Sequence, residues 1–146
     1  MKIVKIESKD IPIIQPMWEE LNKLHGQLST HFNEHFKSFT FQNRMNETDQ
    51  KDAIAVFVIK EGSKLGGYCM ASVECGIGEV DSIYIKPEYR GNKMGVCLIE
   101  KVETWLKSKE VTKIQISIVE GNEAVLDFYN RQGYRHKTTV VEKNSI

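Results

Sequence analysis

The chain has 146 residues, 20 basic and 20 acidic side chains, and an ordinary apolar fraction of 40%. That length suits one domain, able to bury roughly 70% of its unfolded surface. The balanced charge offers no overall positive field for nucleic acid or an anionic membrane, which excludes both as default partners.

The opening MKIVKIESKD carries charges where a signal peptide needs an apolar run. No stretch approaches the ~18 uninterrupted apolar residues of a membrane span, so the expected compartment is the cytoplasm. Residues 2–7 alternate and read as a first strand. Asp10 can cap the next helical turn, and Pro12 fits inside it. Pro16 cannot donate to a continuing helix, so the regular helix should start near Gln15 or Pro16. Met17, Trp18, Leu21, Leu24, His25 and Leu28 recur at helical spacing and carry it to about Gly26 or Leu28.

Residues 30–46 hold Phe32, Phe36, Phe39 and Phe41 among polar residues and read as a short helix and a loop. His31 and His35 would share a helix face, but two ligands without a third make no metal site. AIAVFVIK (53–60) and KLGGYCMASVEC (64–75) flank a turn and predict a hairpin; GEVDSIYIK (78–86) is a further strand. Pro87 ends it and biases Lys86 towards extended backbone. Met94, Leu98, Val102 and Trp105 or Leu106 form an apolar stripe, giving a helix over about 92–108.

IQISIV (114–119) reads as a short buried strand. Asn122 caps another helix, with Ala124, Val125, Phe128 and Tyr129 inward and Gly133 as its stop. YRHKTTVVEK (134–143) should close the fold with one or two strands. The order is mixed α/β, with a right-handed crossover joining two parallel strands between about 79 and 119. Cys69, Cys75 and Cys97 are odd in number and form no C-x-x-C pair, as expected of free thiols in a reducing compartment.

One run breaks a local rule. Arg90-Gly91-Asn92-Lys93-Met94-Gly95 opens the helix after Pro87 and places two cations at a helix N-terminus, where a partial positive charge already stands. Unpaired amides at such an end bind phosphate, and Gly91 lets backbone approach a ligand closely. The run is neither a Walker loop nor a dinucleotide fingerprint.

A second set of residues sharpens this reading. SIYIKPEY runs into Arg90–Gly95, and EGNEAVLDFYNRQGY (120–134) comes later, with Asn122, Phe128, Tyr129, Gly133 and Tyr134 in register. Over about residues 78–135 the chain resembles the GNAT superfamily of acetyl-CoA-dependent N-acetyltransferases. That pattern has a strand ending in Pro, then [RQ]-x-x-G-x-[GA] opening a helix, then a strand and N-x-x-A-x-x-F-Y-x-x-x-G-[FY]. Ala124 stands one place early, with Val125 at the usual position. Lys93 replaces the central Gly, so its side chain must point away from the phosphates or pair with one.

The resemblance implies a central mixed, mostly antiparallel sheet with one splayed parallel pair, flanked by about four helices. It implies that Arg90, Gly91, Asn92, Lys93, Met94, Gly95 and Val96 hold the pyrophosphate of acetyl-CoA. The pantetheine arm would lie between strands 79–86 and 113–119, against Ile83 and Ile85. Asn122 would bond the arm or nearby backbone, or serve only as a cap. The backbone N–H of Ile83 or Tyr84 would meet the oxyanion.

Tyr129 would donate to the departing sulfur; Glu79, Asp81 or water would act as base. The implied acceptor is a primary amine, expected on a small molecule, with a peptide or protein amine as the alternative. A silent acetyl-CoA sensor is the reading from another class, and the presence of both Tyr129 and Asn122 argues against it. A homodimer is the default assembly.

Overall fold

The computed structural model describes residues 1–146. β1 (Lys2–Ile6) leads through a 3-10 segment at Ser8–Ile14 into α1 (Gln15–Leu28), with Pro16 in the first turn, where its missing N–H costs no bond. The Phe-rich region forms two short helices rather than one, α2 (Asn33–Ser38) and α3 (Phe41–Thr48). Thr40 and Asn43 explain the second: each side chain bonds the other's backbone N–H, a capping box that starts a new helix.

β2 (Ala53–Glu61), β3 (Lys64–Glu74) and β4 (Ile77–Ile85) come next, then α4 (Met94–Ser108), β5 (Lys113–Ile116) and α5 (Leu126–Arg131). The sheet order is β1-β2-β3-β4-β5, antiparallel except for β4 and β5, which run parallel. This is the mixed sheet with one parallel pair that the sequence predicts.

Both faces of the sheet are covered, so β2 and β3 read as continuous apolar runs. On one face Cys69, Ala71, Val73 and Val80 pack on Leu98, Ile99, Val102 and Leu106 of α4 and on Tyr129. Of the two alternatives for the last stripe position, Leu106 is the fully buried one. On the other face Val56, Val58, Tyr68 and Met70 meet Ile14, Met17, Trp18 and Phe41.

Gly133 stops α5 as expected. At φ +94° it closes a Schellman turn, with Tyr134 N–H donating to Tyr129 C=O and Gly133 N–H to Asn130 C=O.

Three expectations fail. The closing strands do not form, and no regular structure comes after α5. Val140 and Val141 are adjacent rather than alternate and are 87% and 90% exposed, so the segment has no single apolar face to bury. Asn122 precedes a 3-10 turn (Glu123–Val125) without a side-chain cap bond; its backbone carbonyl accepts from Val125 N–H instead. Ala124 is exposed rather than inward.

Candidate active site

The loop after β4 is held at both ends. Lys86 N–H donates to Gly66 C=O, and the Tyr89 ring lies over Gly66, where an added Cβ would stand 2.7 Å from ring carbons. Gly66 is also skipped in the β2–β3 register, a bulge that makes room for the ring. The Arg90 side chain folds back: Nε donates to Ile85 C=O at 2.7 Å, and the guanidinium sits 5.5 Å from the Tyr84 ring centre.

Beyond it Gly91 (φ +84°) and Lys93 (φ +58°) are both left-handed. Turns of this kind aim successive amides to one side. The amides of Gly91 to Val96 have no acceptor within the protein; the first helical bond of α4 runs from Cys97 N–H to Lys93 C=O.

These residues border a cavity of about 320 Å³, with Ile85 and Phe128 as its apolar wall. Gly95 stands against Phe128: a Cβ at position 95 would be in van der Waals contact with that ring at 3.4 Å. Asn92 does not line the cavity. Phe128, which the sequence places on the inner side of its helix, and Tyr89 do.

Lys93 makes no ion pair and adds charge to a helix N-terminus from a strained backbone. A left-handed non-Gly residue costs about 1–2 kcal/mol, partly offset by the entropy of Gly. Lys93→Gly should therefore raise the melting temperature of the ligand-free protein by about 2–4 °C. A lower melting temperature would contradict the strain.

The parallel pair opens as the loop requires. Pairing runs from Ile77↔Lys113 to Val80↔Ile116 and stops, while β4 continues to Ile85. Residues 117–119 have left the sheet. In a strand, N–H and C=O alternate between the two sides. Lys86 N–H points to β3, so Tyr84 does too, and Ile83 and Ile85 present theirs to the open edge. Of the two candidate oxyanion donors, only Ile83 faces the opening; Tyr84 N–H is turned into the sheet.

Tyr129 packs against Phe128 and Tyr134 with ring centres 5.1 and 6.0 Å away. Burial, and the Cys69 thiol beside it, push its hydroxyl up to about 12. It makes no hydrogen bond within the protein, whereas Tyr134 Oη donates to Glu103 at 2.7 Å.

A β-bulge governs the carboxylates. Ser82 pairs Met70 and Val80 pairs Ala71, so Asp81 is the extra residue, at the point where β5 departs. It sits with Glu79, and burial first, then the shared carboxyl partner, push Asp81 up to about 7. Asp81 Oδ2 and Ser72 Oγ are both buried without a hydrogen-bond partner.

Across the opening, the Glu120 carboxylate accepts from the amides of Thr30 (2.8 Å) and His31 (3.2 Å), tying the α1–α2 loop to the segment after β5. His25 is held below its usual range by burial and by Arg44. Trp18 is buried between Phe39 and Phe41, not presented outward. Glu34 borders a separate groove of about 830 Å³ between α1 and α2. His31 precedes α2 and shares no helix face with His35.

Comparisons with known proteins place the fold and the family. The fold is shared with the F44R mutant of BH1408 from Bacillus halodurans (TM-score 0.77, 16% identity, all of both chains). It is shared with PaiA N-acetyltransferase from Thermoplasma acidophilum, solved with coenzyme A (0.74, 19%, 96% of this chain and 94% of that one). The third is the aminoglycoside acetyltransferase meta-AAC0020 from an uncultured soil metagenomic sample, solved with sisomicin (0.67, 15%, 99% and 95%). The acetyltransferase (GNAT) family model matches residues 16–134. The chain belongs to the GNAT family of acetyltransferases.

Proposed function

We propose that this acyltransferase moves an acetyl group from acetyl-CoA to a primary amine of a small molecule, with both substrates bound together. The observation that carries the proposal is the run of unpartnered amides from Gly91 to Val96, set at the end of an open strand edge. Such a run suits a diphosphate, and the edge beside it offers the N–H and C=O of Ile83 and the N–H of Ile85 to an amide-bearing arm. Related folds solved with coenzyme A and with an aminoglycoside support the substrate classes.

Acetyl-CoA supplies the thioester; the chain supplies the rest. The amine nitrogen bonds the carbonyl carbon, the carbon–sulfur bond breaks, and the proton that the nitrogen then sheds goes to the departing sulfur, which leaves as the thiol of coenzyme A. Asp81, paired with Glu79, takes the proton of the incoming ammonium, leaving a neutral nucleophile. Its raised affinity for protons suits a base working near neutral pH. Ile83 N–H faces the charge that develops on the carbonyl oxygen.

Tyr129 donates a hydrogen bond to the departing sulfur. Full proton transfer is disfavoured: a hydroxyl near 12 and a thiol near 8.5 differ by on the order of 5 kcal/mol. Removing that hydrogen bond in Tyr129→Phe should slow acetyl transfer about 10- to 100-fold with stability nearly unchanged, in a coenzyme A release assay. A variant as fast as the parent would remove Tyr129 from the reaction.

The test of the whole proposal has two parts. Acetyl-CoA at 100 times its dissociation constant should add about 2.7 kcal/mol of stability. Coenzyme A release is then monitored with aminoglycosides, polyamines, amino acids and peptides as acceptors. Turnover of small amines supports the proposal; turnover of peptides alone overturns the acceptor class, and stabilisation without any turnover favours a sensor. No stabilisation overturns both.

A further inference from the structure

We infer that Ser72 is a positioning residue for the proton acceptor: its hydroxyl holds the Asp81 carboxylate in the ionised form that takes a proton. The purpose of this arrangement rests on the acetyltransferase reading, but its existence can be tested without either substrate.

Ser72 is an odd residue for its place. It lies near the end of β3 between Ala71 and Val73, is 1% exposed, and its Oγ has no partner. An unsatisfied buried hydroxyl is destabilising, and alanine, already used at position 71, would avoid that cost. The second orphan is Asp81 Oδ2, on the adjacent strand β4. One orphan is a rotatable donor and the other becomes an acceptor when ionised, so each is the partner the other lacks.

Strand register brings them together. Ser72 stands opposite Glu79. The bulge then inserts Asp81 between Val80, which packs towards α4, and Ser82, which bonds the Tyr68 hydroxyl on the α1 face. The extra residue is thereby directed back towards Glu79 and Ser72.

The groups around Asp81 oppose one another. Burial and Glu79 on β4 favour the protonated form; Ser72 on β3 and Lys51 on the turn before β2 favour the ionised one. The Cys69 thiol, also near Asp81, is pushed up by its own burial and stays neutral. Of the two groups that favour the ionised form Ser72 is the neutral one, so it stabilises the carboxylate without presenting a second cation to an incoming ammonium.

Protein labelled with [13C]aspartate at the carboxyl carbon reports the titration directly, and Asp81→Asn assigns the resonance. In the parent the Asp81 midpoint should lie near neutral. In Ser72→Ala it should rise by about one pH unit, the worth of one hydrogen bond to a charged group. Ser72→Thr should restore it, and Glu79→Gln should lower it.

An unmoved midpoint in Ser72→Ala, or a Thr variant that behaves like Ala, overturns the inference. So does a Glu79→Gln midpoint that fails to fall, a check that stands even if Ser72→Ala does not fold. Failure to bind acetyl-CoA would sink the acetyltransferase reading while leaving these midpoints where they are.

Discussion

Gly121→Ala is expected to destabilise the protein by more than about 3 kcal/mol, measured by equilibrium unfolding in urea. Two effects combine at this residue. Its φ of +95° is a conformation that side chains rarely adopt, and the added Cβ would collide with the Leu28 carbonyl oxygen. The obstacle is backbone at the end of α1, so no rotamer change relieves it. Gly133→Ala is the control: φ is +94°, but nothing lies within 4 Å of the new methyl. That variant should lose only the strain of the turn, about 1–2 kcal/mol. Equal losses would mean that the α1 end moves freely away from residue 121, and that the Glu120 clasp does not fix it.

Asp81→Asn should lower the rate of acetyl transfer by about 100- to 10,000-fold, the usual contribution of a general base. In the parent, kcat/KM should rise with pH and level off above the Asp81 midpoint near 7; the variant should lack that limb.

The same substitution should stabilise the fold at alkaline pH. A carboxyl whose folded value lies above its unfolded value near 3.9 holds its proton more tightly when folded. Its favourable contribution is therefore present below about pH 4 and lost as pH rises through 7. At pH 8 the Asn variant, which cannot ionise, should be more stable than the parent by roughly 1–2 kcal/mol. A variant less stable than the parent at pH 8 would show that Asp81 is held by bonds to its charged form rather than penalised for it.

The sequence carries the fold through periodicity. The long apolar runs of β2 and β3 and the stripe of Leu98, Val102 and Leu106 appear as elements in the structure. The turn before α4 is legible because Gly91 is a residue that adopts its left-handed backbone without strain.

What escapes is set by pairing between strands. Nothing in GEVDSIYIK marks Asp81 as a bulge, since the extra residue is defined by β3 across from it. The bulge decides that Ile83 and Ile85 face the α4 side. Ser72 escapes for the same reason, because the residue opposite it, Glu79, lies on β4. Phe128 reads as ordinary helical packing until the fold sets its ring at the cavity beside the turn before α4. The tail misleads in the other direction: β-branched residues at 138–141 suggest a strand, but exposed neighbours give a strand nothing to bury.

The amide nitrogens opening α4 are the centre of the account, and a 15N–1H NMR titration of the protein with acetyl-CoA tests them most directly. The backbone resonances of Gly91, Asn92, Lys93, Gly95 and Val96 should shift together and saturably, while those of Asn22 and Asn33 in the α1–α2 groove stay in place. Saturable shifts confined to the groove, with the residues from 91 to 96 unmoved, would contradict it.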